Sequence, residues 1–287
     1  MSRIALGIEY DGAKFAGWQC QRHARSVQAG VEEAVARVAN EKVDVVCAGR
    51  TDAGVHALGQ VAHFDTAARR EMRSWMLGIN ANLPDDIRIL WAREVPRDFH
   101  ARYSAIARFY RYVILNRAMR SALQPRQTTW NFYPLDEHRM QTAADHLLGE
   151  HDFTSFRAQG CQSSSPWRIM HFIRMSRVED RVIMDICANA FLHHMVRNIA
   201  GVLMEVGCGK RDTDWTKALL GIKDRSQGGV TAPPDGLYLG GVYYPPQFGL
   251  PKHPLFNLLP EGVTRHLPVA TRAGGQIAPP LTTDQPD

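Results

Sequence analysis

Cys47-Ala48-Gly49-Arg50-Thr51-Asp52-Ala53-Gly54-Val55-His56 is too polar and too rich in glycine to be core, yet apolar runs lie on both sides of it. Val43-Asp44-Val45-Val46 leads in and Val61-Ala62-His63-Phe64 leads out. Apolar runs bounded by turn residues read as strands, so the stretch is a loop carried between a strand at 43–48 and another at 59–66. Working outward, Ile4, Leu6, Ile8 and Tyr10 alternate along one face of a strand at 3–10. Ser26 is placed to cap a helix from Val27 to about Ala39, whose Val27, Val31, Ala34, Val35 and Val38 share one face. Residues 72–82 fit a second helix, and Ile87 to Trp91 a fourth strand. The order β-α-β-β-α-β is the ferredoxin-like, RRM-like arrangement.

A second set of elements follows a basic, aromatic hinge at Phe99 to Ser104. Strands are expected at 109–115, 169–178, 182–188 and 237–243, with helices at 136–148, at 192–206 and near Trp215–Leu220. The same order recurs, which predicts an α+β protein of two such halves side by side, 1–104 and 105–245. Residues 246–287 are different. Nine of the chain's sixteen prolines lie from Pro245 onward, and no helical or strand period is sustained. That predicts a mobile tail, with Pro254-Leu255-Phe256 as the one candidate for a docked segment.

Composition sets outer bounds. An apolar fraction of 45% and a charged fraction of 22% over 287 residues suit a water-soluble globular chain. The net charge of +5 suits a polyanionic partner without identifying one. The cysteines (Cys20, Cys47, Cys161, Cys187 and Cys208) are odd in number and form no CxxC pair, so neither a zinc site nor a disulfide framework is expected from them. Reduced thiols, no apolar signal core and no membrane-length run predict a cytoplasmic protein.

Read alone, the central loop has two meanings. Asp52 before Ala53-Gly54 is either a turn residue bonded to its own backbone or a carboxylate presented to a cleft. The string Gly-Arg-Thr-Asp-Ala-Gly-Val-His resembles the catalytic motif of the tRNA pseudouridine synthase A family. Ile8-Glu9-Tyr10-Asp11-Gly12, Gly17-Trp18-Gln19, Phe99-His100-Ala101-Arg102, Asp152-Phe153-Thr154-Ser155-Phe156 and His194-Met195-Val196-Arg197-Asn198 resemble further family motifs in the same order, spanning roughly residues 3–245. The resemblance implies two ferredoxin-like halves with a central RNA-binding cleft, and conversion of uridine to pseudouridine in tRNA, at positions 38–40 of the anticodon stem-loop, without cofactor and by a homodimer.

It also implies residue roles. Asp52 is the catalytic carboxylate. Such a group can act as nucleophile at the sugar C1′, as nucleophile at the base, or as base toward a sugar proton. Arg197 pairs with it, and a neighbouring cation favours the ionised form. Arg50 fills the gap left when the target base is flipped out. Tyr110 stacks on the uracil, although Tyr112 lies on the same strand face and pattern alone does not separate the two. Leu237 packs on the other side of the base. Phe99, His100, Ala101, Arg102 and Tyr103 form one RNA-contact segment. Arg157, the run Gly160, Cys161, Gln162, Ser163 and Ser164, and Arg168 form another. For the adjacent His193 and His194, placed on a helix, the rings point about 100° apart and no metal is expected. The rival readings are a pseudouridine synthase for another RNA and a non-catalytic RNA-binding module. The second is disfavoured because no RNP1-like aromatic string occurs.

Overall fold

The protein is a mixed α+β fold, seen in a computed structural model that describes residues 1–260. The first half runs β1 (Ser2–Tyr10), α1 (Val27–Ala39), β2 (Val46–Cys47), β3 (His56–Thr66), α2 (Met72–Asn82) and β4 (Ile87–Val95). The second runs β5 (Ala107–Asn116), β6 (Thr129–Asn131), α3 (Glu137–Asp145), β7 (Gly149–Asp152), β8 (Trp167–Val178), β9 (Arg181–Ala188), α4 (Met195–Gly207), α5 (Trp215–Ile222) and β10 (Leu237–Tyr243). All these strands join one ten-stranded sheet with the main order β4-β1-β3-β10-β5-β9-β8-β7. In both halves the last principal strand lies beside the first, and the third lies beside that. Among the described residues no helix is long and apolar enough to cross a membrane.

Local chemistry sets these elements. Ser26 caps α1, its side chain accepting from Ala29 N at 3.3 Å, and Asn40 ends the helix in the left-handed region at φ 55°. Asp136 caps α3 by accepting from the amides of His138 and Arg139. On β5 the pleat divides the side chains. Tyr112 and Ile114 join the core that includes α3 and α4, while Ala107 and Phe109 face the other side. Arg111 and Asp185 are direct cross-strand partners, joined by two hydrogen bonds of 2.7 and 2.9 Å, with Asp185 buried. A register slip there would strand a buried carboxylate without its cation.

The two halves meet through β10. It pairs antiparallel with β5 and parallel with β3, at Tyr238↔His56 and Leu239↔Ala57. β2 takes another part of the same β3 edge, at Val46↔His63 and Cys47↔Ala62. β2 is therefore only two residues long, not the six expected. Val43 and Val45 are still buried in the first core, by packing and not by strand pairing. The sheet edge beside residues 56–57 belongs to β10, so the chain between β2 and β3 leaves the sheet as a loop. Leu239 and Val242 of β10 belong to the first core and Leu237 to the second.

The segment after β10 corrects the expectation of a mobile tail from residue 246. Pro254–Leu258 is a short helical turn, and Phe256 is fully buried against Phe109, Phe172 and Cys187 on the back of the sheet. The candidate docked segment is thus docked, and Leu259 is buried with it. The remainder of the expected tail, 261–287, lies outside the described residues.

Candidate active site

The loop of residues 48–55 is pinned along its length. Gln60 donates to Gly49 O at 2.7 Å from below. The Thr51 hydroxyl is buried and meets the Tyr10 hydroxyl at 2.7 Å. Trp18 N donates to Thr51 O at 3.0 Å, and Gly54 N to Phe15 O at 3.2 Å. Val55 N donates to Asp52 O at 3.1 Å, closing a turn over Ala53 and Gly54, with Gly54 at φ 79°. His56 fixes the far end. Its Nδ1 accepts from Gly12 N at 3.0 Å, and its Nε2 donates toward the carbonyls of Arg126 and Asp235, at 2.8 and 3.2 Å. The backbone carrying Asp52 is therefore held by both halves, as a preorganised site requires.

Asp52 faces the start of α4. Its Oδ2 lies 3.3 Å from Arg197 Nη1 and 3.3 Å from His194 Nε2, and its Oδ1 lies 3.5 Å from His193 Nε2. Arg197 is itself anchored. Its Nε donates to Ala232 O at 2.8 Å, and Ala232 N donates back to Arg197 O at 3.1 Å. The 230–232 backbone lies so close to α4 that a Cβ on Gly201 would sit 1.9 Å from Val230 O. The helix N-terminus also favours a nearby anion.

The two histidines depart from expectation. Helix α4 begins at Met195, and His194 precedes it in the left-handed region at φ 59°. The rings do not diverge by a helical angle. Their centroids lie 3.9 Å apart and both Nε2 atoms point at Asp52. Burial lowers the His194 pKa below its ordinary value; the Asp52 carboxylate opposes this, while His193 and Arg197 reinforce it.

Tyr110 reaches toward Asp52 from the sheet, while Leu237 pairs with Tyr112 and lies in the second core. Tyr110 packs edge-on to Phe191 with centroids 5.1 Å apart and touches both main cores. Its phenol pKa is raised, by burial first and by the Asp52 charge next. Its hydroxyl bonds no partner among the described residues. Tyr112 differs: it is fully buried, and its hydroxyl is committed to Thr129 Oγ1 at 2.6 Å and Pro233 O at 2.8 Å. The two same-face tyrosines are thereby separated into one free and one structural group. Leu237 is nearly buried and lies three residues after Pro234, which packs at Gly54. Arg50 is exposed and makes no ion pair or hydrogen bond among the described residues.

The expected RNA-contact segments divide similarly. Phe99 and Ala101 are fully buried, so these two are corrected to core residues. Phe99 packs against His63, Tyr244 and Phe248. His100, Arg102 and Tyr103 remain outside; the Arg102 guanidinium lies 5.6 Å from the Tyr103 ring centre, and Tyr103 stacks on His100 at 4.3 Å. Arg157 donates to Cys161 O at 2.6 Å and Ser163 O at 2.9 Å. Arg168 donates to Ser165 O and Ser163 Oγ. Both arginines hold the shape of the loop that exposes Gly160, Gln162 and Ser164. The Asp152–Phe156 motif is structural, with Ser155 Oγ donating to Leu219 O and Asp152 Oδ1 accepting from Thr154.

A family model described as tRNA pseudouridine synthase matches residues 7–104 and 143–245, which hold the Asp52 loop, α4 and β10. The chain belongs to the tRNA pseudouridine synthase family. Among relatives, the tRNA pseudouridine synthase A of Methylococcus capsulatus is 64% identical over 266 residues, covering 93% of this chain and 98% of the relative. That of Coxiella burnetii is 56% identical over 255 residues, covering 89% and 98%. That of Cronobacter sakazakii is 55% identical over 253 residues, covering 88% and 94%. Within this pseudouridine synthase, residue patterning had missed Tyr10, Gln60 and His56 as supports of the loop. Tyr10 and Gln60 read as ordinary strand residues and His56 as the last residue of the motif, and only the fold makes them its supports.

Proposed function

We propose that this protein isomerises uridine to pseudouridine in tRNA, at positions 38–40 of the anticodon stem-loop, with Asp52 as the reacting carboxylate. The observation that carries this reading is the meeting of Asp52, from a loop of the first half, with Arg197, from the first turn of α4, in a chain of this family. The reaction breaks the N1–C1′ bond, turns the base and joins C5 to C1′. N1 gains a proton and C5 loses one, so no electrons are exchanged and no redox cofactor is required. Arg197, held by Ala232, fixes the direction of the carboxylate. Tyr110 and Leu237 grip the two faces of the uracil, which suits an aromatic ring and a branched aliphatic side chain. Arg50, exposed and unpaired among the described residues, fills the stack the base has left. His100, Arg102 and Tyr103 supply a basic and aromatic surface for the RNA backbone and bases. The enzyme acts in the cytoplasm as a homodimer.

Release of tritium from tRNA labelled at uridine C5 counts turnovers, because C5 becomes the glycosidic carbon. Wild type should release tritium from a substrate with uridine at 38–40 and none from a tRNA lacking uridine there. Asp52→Asn keeps the size of the side chain and removes its charge. It should release essentially none while binding tRNA as well as wild type or better, since a negative charge near phosphate is gone. Wild-type turnover by Asp52→Asn would make Asp52 a turn residue. Tight binding without any release by wild type would make the protein a binding module.

A further inference from the structure

The isomerisation requires no metal, yet two imidazoles converge on its carboxylate. We propose that Asp52, His193 and His194 bind a borderline divalent transition ion of the Zn2+ class, and that the bound ion inhibits the enzyme by occupying the carboxylate. The ligand atoms of the three side chains all lie within 4.8 Å of one another. A tetrahedral ion with bonds of about 2.0–2.1 Å holds its ligands roughly 3.3–3.4 Å apart. His194 Nε2 lies 3.3 Å from Asp52 Oδ2 and His193 Nε2 lies 3.5 Å from Oδ1, so each imidazole already stands near such an edge with one carboxylate oxygen. All three ligand atoms start within 4.8 Å of one another, so closing the remaining edges requires rotation of the Asp52, His193 and His194 side chains. The site is reachable, since the His193 side chain is 47% exposed and the Asp52 side chain 26%. Three protein ligands leave a fourth position for water, as at open zinc sites.

Donor chemistry selects the ion. Two imidazoles and one carboxylate favour Zn2+, Cu2+ or Ni2+ over Mg2+, which prefers oxygen ligands and keeps its own water. The Mg2+ that accompanies tRNA therefore leaves the site alone. Arg197, 3.3 Å from Asp52 Oδ2 and anchored to Ala232, repels a cation and competes for that oxygen. It makes the site one of reversible occupancy. Inhibition rests on the reading of Asp52 as the reacting group; binding does not.

The test uses RNA-free full-length protein carrying Cys20→Ser, which removes an exposed thiol able to take zinc. Calorimetric titration with Zn2+ should give one saturable site, with Mg2+ giving none. His193→Gln/His194→Gln in the same background should bind Zn2+ at least tenfold more weakly. X-ray absorption on the zinc-loaded parent should show two imidazoles and one carboxylate around the metal, a readout independent of how the double variant folds. Tritium release should fall along the same titration and return on chelation. No saturable binding by the parent, equal binding by the double variant, or a first shell without two imidazoles would overturn the site. Binding of this kind with unchanged turnover would overturn the inhibition.

Discussion

Gly17→Ala should damage catalysis from outside the Asp52 loop, to which the proposed function assigns the chemistry. Gly17 holds φ 103°, a region that costs an L residue about 1–2 kcal/mol. An added Cβ would also sit 2.6 Å from Thr51 O, 3.1 Å from Asp52 C and 3.2 Å from Ala53 N. All three are backbone atoms, so no flexible side chain can yield. Reaching ordinary van der Waals separation requires the loop to retreat by roughly 0.8 Å, because carbon contacts are favourable only near about 3.5 Å. The Trp18 N to Thr51 O hydrogen bond stretches with it. A misplacement of about 1 Å at a reacting group costs on the order of 100-fold in rate. Gly17→Ala should therefore lose roughly 10- to 100-fold in single-turnover tritium release and about 2–3 kcal/mol in stability, with tRNA affinity little changed. Gly49→Ala, in the loop itself, is the control. Nothing lies within 4 Å of its added Cβ and its φ is not in the left-handed region. It should keep wild-type turnover and gain about 0.4–1 kcal/mol by restricting the unfolded chain. Wild-type turnover by Gly17→Ala, or equal damage from Gly49→Ala, would refute the reasoning.

Two further outcomes are expected. Phe256→Ala empties a fully buried site between Phe109 and Tyr243 and should cost about 3–5 kcal/mol in denaturant unfolding; a loss under about 1 kcal/mol would mean the segment after β10 is not docked in solution. His63 is buried and its pKa is lowered to about 4, chiefly by burial and then by Arg3 and His100. The unfolded chain binds more protons between the two pKa values, so stability should fall as pH drops from about 6.5 toward 4, by on the order of 2–3 kcal/mol from this group. His63→Asn, which keeps an acceptor for Ala101 N, should flatten the fall in melting temperature over that window; an unchanged slope would place the loss elsewhere.

The strands that alternate against one core were legible in the sequence, and β1, β5, β8 and β9 lie where the pattern put them, to within two residues at their ends. Failures occurred where neighbours remote in sequence decide. β2 is short because β10 occupies part of the edge it would have used, which no local pattern encodes. His193 and His194 were assigned to a helix because Leu192 to Val206 has helical spacing, whereas a left-handed residue at 194 starts the helix later and turns both rings one way. Phe99 and Ala101 sit in a segment rich in charge, yet their side chains point inward between exposed neighbours. Phe256 docks without any period of its own, because its partners are supplied by β5 and β8. Asp52, Arg197 and Tyr110 were picked out by motif; their geometry was not, since they stand on three separated elements.

The parallel pairing of β3 with β10 sets a clock on the enzyme's birth. Synthesis runs from the N-terminus, and the first half is complete in sequence long before residue 237 is added. The Asp52 loop ends at His56, and His56 needs the carbonyls of Arg126 and Asp235 and the ring of Tyr238, 4.7 Å away, to be held. Arg197 likewise needs Ala232. A nascent chain thus carries Asp52, the proposed reacting carboxylate, for most of its emergence without the frame that aims it. Pairings so distant in sequence form late and slowly. On the proposed reading the growing polypeptide is not competent before the last strand takes its place in the middle of the sheet.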